Sequence, residues 1–240
     1  MMIKKDNIFE SSNFNDLPFS FNEEVTEVFE DMIDRSVPGY RSSLKIIEEL
    51  GKRYFKEDTS CYDLGCSLGG STLSLLRAIK GREGKIYAVD NSKAMITACS
   101  KKFTDLEKVY FLNQDIEATE IKDASIVVLN FVLQFLDTEK RSSFLDKVFS
   151  GMRKGGLLIL SEKIHFDNKL RNKTLFNLHH NFKFKNGYTQ MEISRKRDAL
   201  EGVLVTDLEE DHNNRLKKLG FRNTRKVMSN LNFLTLISEK

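Results

Sequence analysis

Proline and cysteine are both scarce in this chain, with two of the first and three of the second among 240 residues. With so few prolines, no internal repeat and no low-complexity stretch, nothing marks a linker between separate domains. The three cysteines, Cys61, Cys66 and Cys99, make neither an even framework nor a C-x-x-C pair. That excludes a disulfide scaffold and leads us to expect a reduced, cytoplasmic setting. No apolar run is long enough to cross a bilayer and the first residues are polar, without a signal-peptide pattern, so no membrane partner is expected. No long block of like charges occurs either. The net charge is +3, from 38 basic and 35 acidic residues, an excess too mild to imply direct nucleic-acid binding. At 40% hydrophobic content the chain can bury one sizeable core, and we expect a single α/β domain over residues 1–240.

What is present is a glycine-rich turn in a telling place. Cys61-Tyr62-Asp63-Leu64 reads as a short strand, and Gly65-Cys66-Ser67-Leu68-Gly69-Gly70 follows it. A helical pattern through Leu73, Leu75, Leu76 and Ile79 then opens. A second strand, Lys85-Ile86-Tyr87-Ala88-Val89-Asp90, ends on an acid. Glycine lets a backbone approach a ligand closely, and an acid at the tip of the second strand can accept from a ribose diol. The unit is therefore expected to hold a nucleoside-containing cofactor. A dinucleotide site needs G-x-G-x-x-G for its pyrophosphate, and here Ser67 stands where the second glycine belongs. The run Asp-Leu-Gly-Cys-Ser-Leu-Gly-Gly instead resembles the first motif of class I S-adenosylmethionine (AdoMet) enzymes. The zwitterionic end of AdoMet suits a turn with free N–H groups and an acid, Asp63.

Gly65-Cys66-Ser67-Leu68-Gly69 also fits the G-x-S-x-G nucleophile elbow, with Asp207 and His212 following in hydrolase order. Against that, His212 sits in the polar run 209–214, read as a solvated helix face. An oxyanion motif is missing, and too few strands precede Ser67.

Periodicity organises the rest. Residues 1–20 read as irregular, with Phe9, Phe14, Leu17 and Phe19 as hooks for a partner surface. Helices are predicted over 23–36, 41–55, 92–103, 138–152 and 208–219. Strands are predicted at 109–112, 125–131, 156–163, 221–228 and 231–239. The run 125–131 is apolar and β-branched, as in a parallel strand buried on both faces. The charged, helical segment 165–203 interrupts the alternation and reads as an insertion that covers an active site or makes a dimer contact. The order implies a doubly wound, mostly parallel, seven-stranded sheet with N-terminal helices over 1–55 and a terminal hairpin. Gly65, Asp90, Asp115 and Asn130 each end or follow a strand, so one crevice should collect them.

Ser36-Val37-Pro38-Gly39-Tyr40, Asp90-Asn91-Ser92, Val128-Leu129-Asn130-Phe131, Leu160-Ser161-Glu162-Lys163, His179-His180, Asn186-Gly187-Tyr188 and Lys196-Arg197 extend the likeness along nearly the whole chain. In this order they resemble the carboxy-S-adenosyl-L-methionine synthase family. The chain departs from the family pattern around Val227–Phe233, at Leu234, and at Gly70, where alanine is usual. The resemblance implies a Rossmann-like AdoMet methyltransferase fold. It also implies a reaction in which prephenate gives up a carboxyl to AdoMet and leaves as phenylpyruvate. By family, the ligand contacts fall on Tyr40, Gly65, Cys66, Ser67, Asp90, Asn91, Asp115, Ile116, Asn130 and Arg197. The resemblance further implies a homodimer, no metal, and a product passed to an enzyme that carboxymethylates wobble uridine in tRNA.

A sulfonium acidifies its methyl C–H bonds, and the leaving hydroxyl of prephenate can serve as base, so no strong protein base is required. The new carboxylate needs a fixed cation, and arginine binds carboxylates through a planar fork. Arg197 is the candidate, although Arg195-Lys196-Arg197 also reads as a solvated charged run. Tyr40 either donates to a carboxylate or packs on the core. His179 and His180 lack the i, i+4 spacing and third ligand of a metal site. Cys66 reads as a small residue rather than a nucleophile, and Phe176, Phe182 and Phe184 as core or interface. Two other functions stay open on these residues: an AdoMet-dependent small-molecule methyltransferase, and a non-catalytic AdoMet-binding partner of a tRNA-modifying enzyme. The absence of an Asn/Asp-Pro-Pro-Tyr motif, with Asn130-Phe131-Val132-Leu133 in its place, argues against amino-directed nucleic-acid methylation.

Overall fold

Side chains alternate strictly across the centre of the sheet. In strand Ala124–Asn130, Ile126 and Val128 pack into one core while Val127 and Leu129 pack into another. The same alternation divides Leu157 and Ile159 from Leu158 and Leu160 in the neighbouring strand. A strand presents successive residues to opposite faces, so two hydrophobic faces demand two covering layers. The computed structural model, which describes residues 4–10, 18–103 and 107–240, supplies them.

In chain order the elements are α1 (Glu23–Ser36), α2 (Tyr40–Tyr54), β1 (Thr59–Leu64), α3 (Gly70–Ala78), β2 (Gly84–Asp90), α4 (Lys93–Lys102), β3 (Val109–Asn113) and β4 (Ala124–Asn130). A short 3-10 turn (Leu133–Phe135) precedes α5 (Arg141–Gly151) and β5 (Met152–His165). Then come α6 (Lys169–Lys185), α7 (Gln190–Ala199), β6 (Asp207–Leu208), α8 (Glu209–Lys218), β7 (Arg222–Asn230) and β8 (Phe233–Glu239). The main sheet runs β3-β2-β1-β4-β5-β8-β7. Its first five strands are parallel, and β8 and β7 close it as an antiparallel hairpin. Helices α2 and α3 cover one face through Ile47, Leu75 and Ala78, and α5 and α8 cover the other through Phe144, Leu145, Val148 and Leu216. Each of the larger of these side chains contributes about 1.5–3 kcal/mol when fully buried. Among the described residues no helix is long and apolar enough to cross a membrane.

Three expectations need correction. The sheet has an eighth strand: Asp207–Leu208, partly read as helix, pairs with the end of β5. Phe9 and Phe19 are not hooks for a partner. They are buried in this chain's own cluster with Val25, Val28, Phe29, Met32, Met95 and Ala199. Phe14 and Leu17 lie outside the described residues.

The third correction concerns His212, which is only 2% exposed. It packs in a buried ionic cluster rather than on a solvated face. Asp207 receives Arg141 at 2.7 Å and Arg215 at 2.8 Å. Arg141 also donates to the carbonyls of Leu136 and Val205, tying α5 to the loop before β6. Burial holds His212 down at about 4, against the partial opposition of Asp207. Burial pushes Asp207 up, but its hydrogen bond to Arg141 and the two arginine charges outweigh that and keep it below the usual carboxylate range.

Candidate active site

The glycine turn and the second strand lock into one unit. Gly65 and Cys66 both donate to Val89 O, at 2.8 and 2.9 Å. Ser67, at φ 48°, donates its backbone N–H to Asp90 Oδ2 at 2.9 Å, and Ser92 donates to Oδ1 at 2.9 Å. Asp90 thus receives one backbone N–H on each oxygen and keeps further acceptor capacity on both. Burial raises its pKa, against the lowering effect of these two N–H bonds. Gly65 has φ +78°, and a Cβ there would lie 2.5 Å from Val132 Cγ2, so only glycine fits.

Asp63 was expected beside the ligand. Instead it lies beneath the turn, where Thr72 Oγ1 donates to it at 2.6 Å, and burial pushes it up to about 7. Its task is to brace the start of α3.

A cavity of about 1010 Å³ opens at the C-terminal ends of the parallel strands. Tyr40, Gly65, Cys66, Ser67, Asp90, Asn91, Asp115, Ile116, Asn130 and Arg197 all line it. Those from Gly65 to Asn130 come together because β3, β2, β1 and β4 are parallel neighbours, while Tyr40 and Arg197 reach it from α2 and α7. Asn130 donates to Ser71 Oγ at 3.2 Å, while its Oδ1 is buried without a partner. An orphaned buried carbonyl costs about 1–3 kcal/mol, and a ligand N–H at that point would remove the cost. Phe131, directly after it, takes φ 64°, an unusual conformation for an aromatic residue that turns the chain into the cavity wall.

Tyr40 opens α2 after Gly39 at φ +84°. Burial, then the charge of Asp63, raises its phenol, so it stays a proton donor. A Cβ on Gly70 would fall 2.6 Å from the Tyr40 hydroxyl, so glycine here leaves the phenol its room. The Cys66 thiol is pushed up by its hydrogen bond with Cys99 and by burial, which leaves it unreactive.

Arg197 reaches the cavity rim with its side chain 56% exposed, paired with Asp198 at 2.7 Å and Ser194 Oγ at 3.1 Å. The rest of that charged run is not solvated as the sequence suggested. Lys196 is buried against Ser36 Oγ (3.0 Å) and Asp6 (3.6 Å), and Arg195 donates to the carbonyls of Phe9 and Glu10. His179 Nε2 donates to Ser36 O over 2.8 Å, and its ring meets Phe233 edge-on at 5.0 Å. Burial, with the charges of Lys183 and Lys163, holds it down at about 3. Among the described residues no group of three His, Cys, Asp or Glu side chains is placed for a metal ion.

Sequence reading missed two features of this wall. Glu162 accepts the N–H groups of Val132, Leu133 and Gln134 at 3.2, 2.8 and 3.0 Å, pinning the short turn after Phe131. Burial raises it to about 8. Lys163 and Lys183 also line the cavity. An acid and a lysine at the end of the apolar run Leu157–Leu160 and before Ile164 were the available signal for Glu162 and Lys163. Nothing comparable marks Lys183 within the charged helix α6.

Comparison with known proteins is consistent with this architecture. A family model described as a methyltransferase domain matches residues 62–156. A carboxy-S-adenosyl-L-methionine synthase from Vibrio parahaemolyticus is 48% identical over 206 residues, covering 85% of this chain and 84% of that protein. One from Erwinia tasmaniensis is 44% identical over 242 residues, covering 100% and 98%. Among solved structures, an O-methyltransferase family protein from Burkholderia thailandensis superposes with a TM-score of 0.65 at 16% identity, covering 95% of this chain and 65% of that one. Human N-acetylserotonin methyltransferase in complex with SAM gives 0.61 at 15% identity, covering 91% and 55%. At such identities the structural likeness speaks to the fold alone. The chain spans 55% and 65% of those two structures' lengths, but 84% and 98% of the two curated relatives'.

Proposed function

This chain belongs to the carboxy-S-adenosyl-L-methionine synthase family, and from that premise we propose how its cavity carries out the reaction. The protein is an enzyme that makes carboxy-S-adenosyl-L-methionine from AdoMet. The residues around the glycine turn fit AdoMet as substrate. Asp90 has acceptor capacity left for a ribose diol, and Asn130 Oδ1 has none of its own partners. We assign Asp90 to the ribose and Asn130, with the Gly65-Cys66-Ser67 turn and Tyr40, to the amino-acid end. Ile116 offers an apolar face and Asp115 an acceptor, which suits an adenine; Asn91 completes that wall.

The second substrate in this proposal is prephenate, which yields phenylpyruvate. The sulfonium supplies acidity at its methyl group; this chain supplies position and charge. Tyr40 keeps its proton and orients a carboxylate by donation. Arg197 leaves Asp198 and meets the carboxylate that the product has and AdoMet lacks, so both count as catalytic in this reading. Helices α6 and α7 form the cover that keeps water out. Exposed Leu170, Phe176, Leu178 and Phe184 on α6 suit a homodimer contact. The product would pass to a tRNA carboxymethyltransferase acting on wobble uridine, with no nucleic acid touching this chain.

The observation that carries the reading is that Asp90 and Arg197 line one cavity, at about 1010 Å³ as large as a typical single-ligand site or larger. The test is incubation with AdoMet and prephenate labelled in its ring carboxyl. Label in a carboxylated nucleoside together with unlabelled phenylpyruvate supports the proposal. Methyl transfer without carboxylated product favours an ordinary methyltransferase.

A further inference from the structure

Two half-buried lysines line the cavity, and among the described residues no carboxylate pairs with either. Lys163 stands near the end of β5, opposite Phe233 of β8, and its backbone N–H is held by Gln134 Oε1 at 3.0 Å. Lys183 lies one turn beyond His179 on the same face of α6, and His179 is tied to the end of α1 through Ser36 O. Both lysine stems are therefore fixed to anchored backbone. Among the described residues neither ammonium meets a carboxylate. Burial lowers Lys163, and for Lys183 burial is followed by the like charges of Lys163, Lys196 and Arg197. Lys196 differs, because Asp6 and Ser36 satisfy it.

Unpaired buried cations cost free energy unless something of opposite charge joins them. A fold that draws two such cations partly out of water at one cavity is built for an anion. Beside them stands an aromatic wall. Phe131 lies 5.9 Å from Phe233 and 6.4 Å from Tyr40, ring centre to ring centre. We infer that Lys163 and Lys183 form an anion seat that binds the carboxylates of the second substrate, a ring-bearing dicarboxylate whose ring lies on the Phe131–Phe233 wall.

This rests on the synthase reading for the identity of the dicarboxylate, and it goes further by separating two tasks. Arg197, at the rim, receives the carboxylate of the product. Lys163 and Lys183, less exposed than Arg197, hold the substrate that donates it. An ammonium is a compact point charge and suits a group that must later be released, whereas the guanidinium fork fixes one geometry.

The experiment is calorimetric titration of prephenate into protein loaded with S-adenosylhomocysteine, which lacks the transferable methyl and so blocks turnover. Lys163→Met and Lys183→Met should each weaken prephenate binding by roughly 10-fold or more, leave AdoMet affinity within about 2-fold, and keep the wild-type Tm or exceed it because an unpaired, half-buried charge is gone. Lys183→Arg should restore part of the binding. Prephenate binding unchanged in both methionine variants overturns the inference, as does equal loss of AdoMet and prephenate. Wild-type protein that binds no prephenate overturns it too, even where carboxy-AdoMet forms from another carboxyl donor, an outcome that would spare the synthase activity. Binding that depends on both lysines without any carboxylated product supports the seat and contradicts the synthase reading.

Discussion

The carboxylate of Asp90 accepts the backbone N–H of Ser67 at 2.9 Å, so the acid at the end of β2 also holds the glycine turn in shape. One residue therefore serves both the turn and the ribose it is assigned to. Asp90→Ala should weaken AdoMet binding by roughly 100-fold or more, since charge-assisted hydrogen bonds are worth about 1.5–3 kcal/mol each. It should also lower stability by about 1–3 kcal/mol, because the N–H groups of Ser67 and Ser92 lose their acceptor. Calorimetry and denaturant melts read the two effects separately. Unchanged AdoMet affinity in a folded variant would remove Asp90 from the ribose.

Gly65→Ala combines two penalties. The left-handed backbone at φ +78° costs a non-glycine residue about 1–2 kcal/mol. The added methyl would also press on Val132 at 2.5 Å. Val132→Ala on top of it should recover the steric part and leave the backbone part, so a double-mutant cycle is expected to show favourable coupling. Strict additivity would mean that the turn yields elsewhere.

Arg197→Ala should retain most AdoMet affinity and lose preference for the carboxylated product. The guanidinium is more than half exposed and must first part from Asp198. Solvent screening therefore limits the effect to roughly 10-fold, below the value of a buried pair. Arg197→Lys should recover part of it. Equal binding of both ligands by the alanine variant would return Arg197 to the role of a surface residue.

The cluster around Asp207 sets an acid limit on stability. His212 titrates at about 4 in the folded protein against an ordinary 6.5. Between those values the unfolded chain binds more protons, so stability falls as pH drops from about 6.5 toward 4. The shift corresponds to about 2–4 kcal/mol. Asp207, lowered by Arg141 and Arg215, adds a further loss below the ordinary carboxylate range. His212→Phe should flatten the upper part of this slope in melts at successive pH values, while an unchanged slope would place the acid sensitivity elsewhere. Arg141→Ala should cost about 3–5 kcal/mol, because it takes one of two arginines from the buried Asp207 and leaves the Leu136 and Val205 carbonyls without their donor.

Local signals made the central sheet legible. The β-branched run before Asn130 and the glycine turn both agree with the global fold. Gly65, Asp90, Asp115 and Asn130 were legible as neighbours in one cavity for the same reason: they end or follow strands, where topology alone brings them together. Lys163 and Lys183 were not: they come from a strand and a distant helix, and no spacing relates them. His212 and Phe9 were misread because a polar run and an irregular terminus carry no record of the tertiary surface that buries them. Asp63 has the composition of a ligand contact but the position of a brace, which only the packing of Thr72 distinguishes.

The most direct test of the whole account is mass spectrometry of the nucleoside released from the protein after exposure to AdoMet and prephenate. The account predicts a ligand heavier than AdoMet by one CO₂, retained by wild type and diminished in Arg197→Ala. Recovery of only AdoMet or its demethylated form, with prephenate in excess, would contradict it.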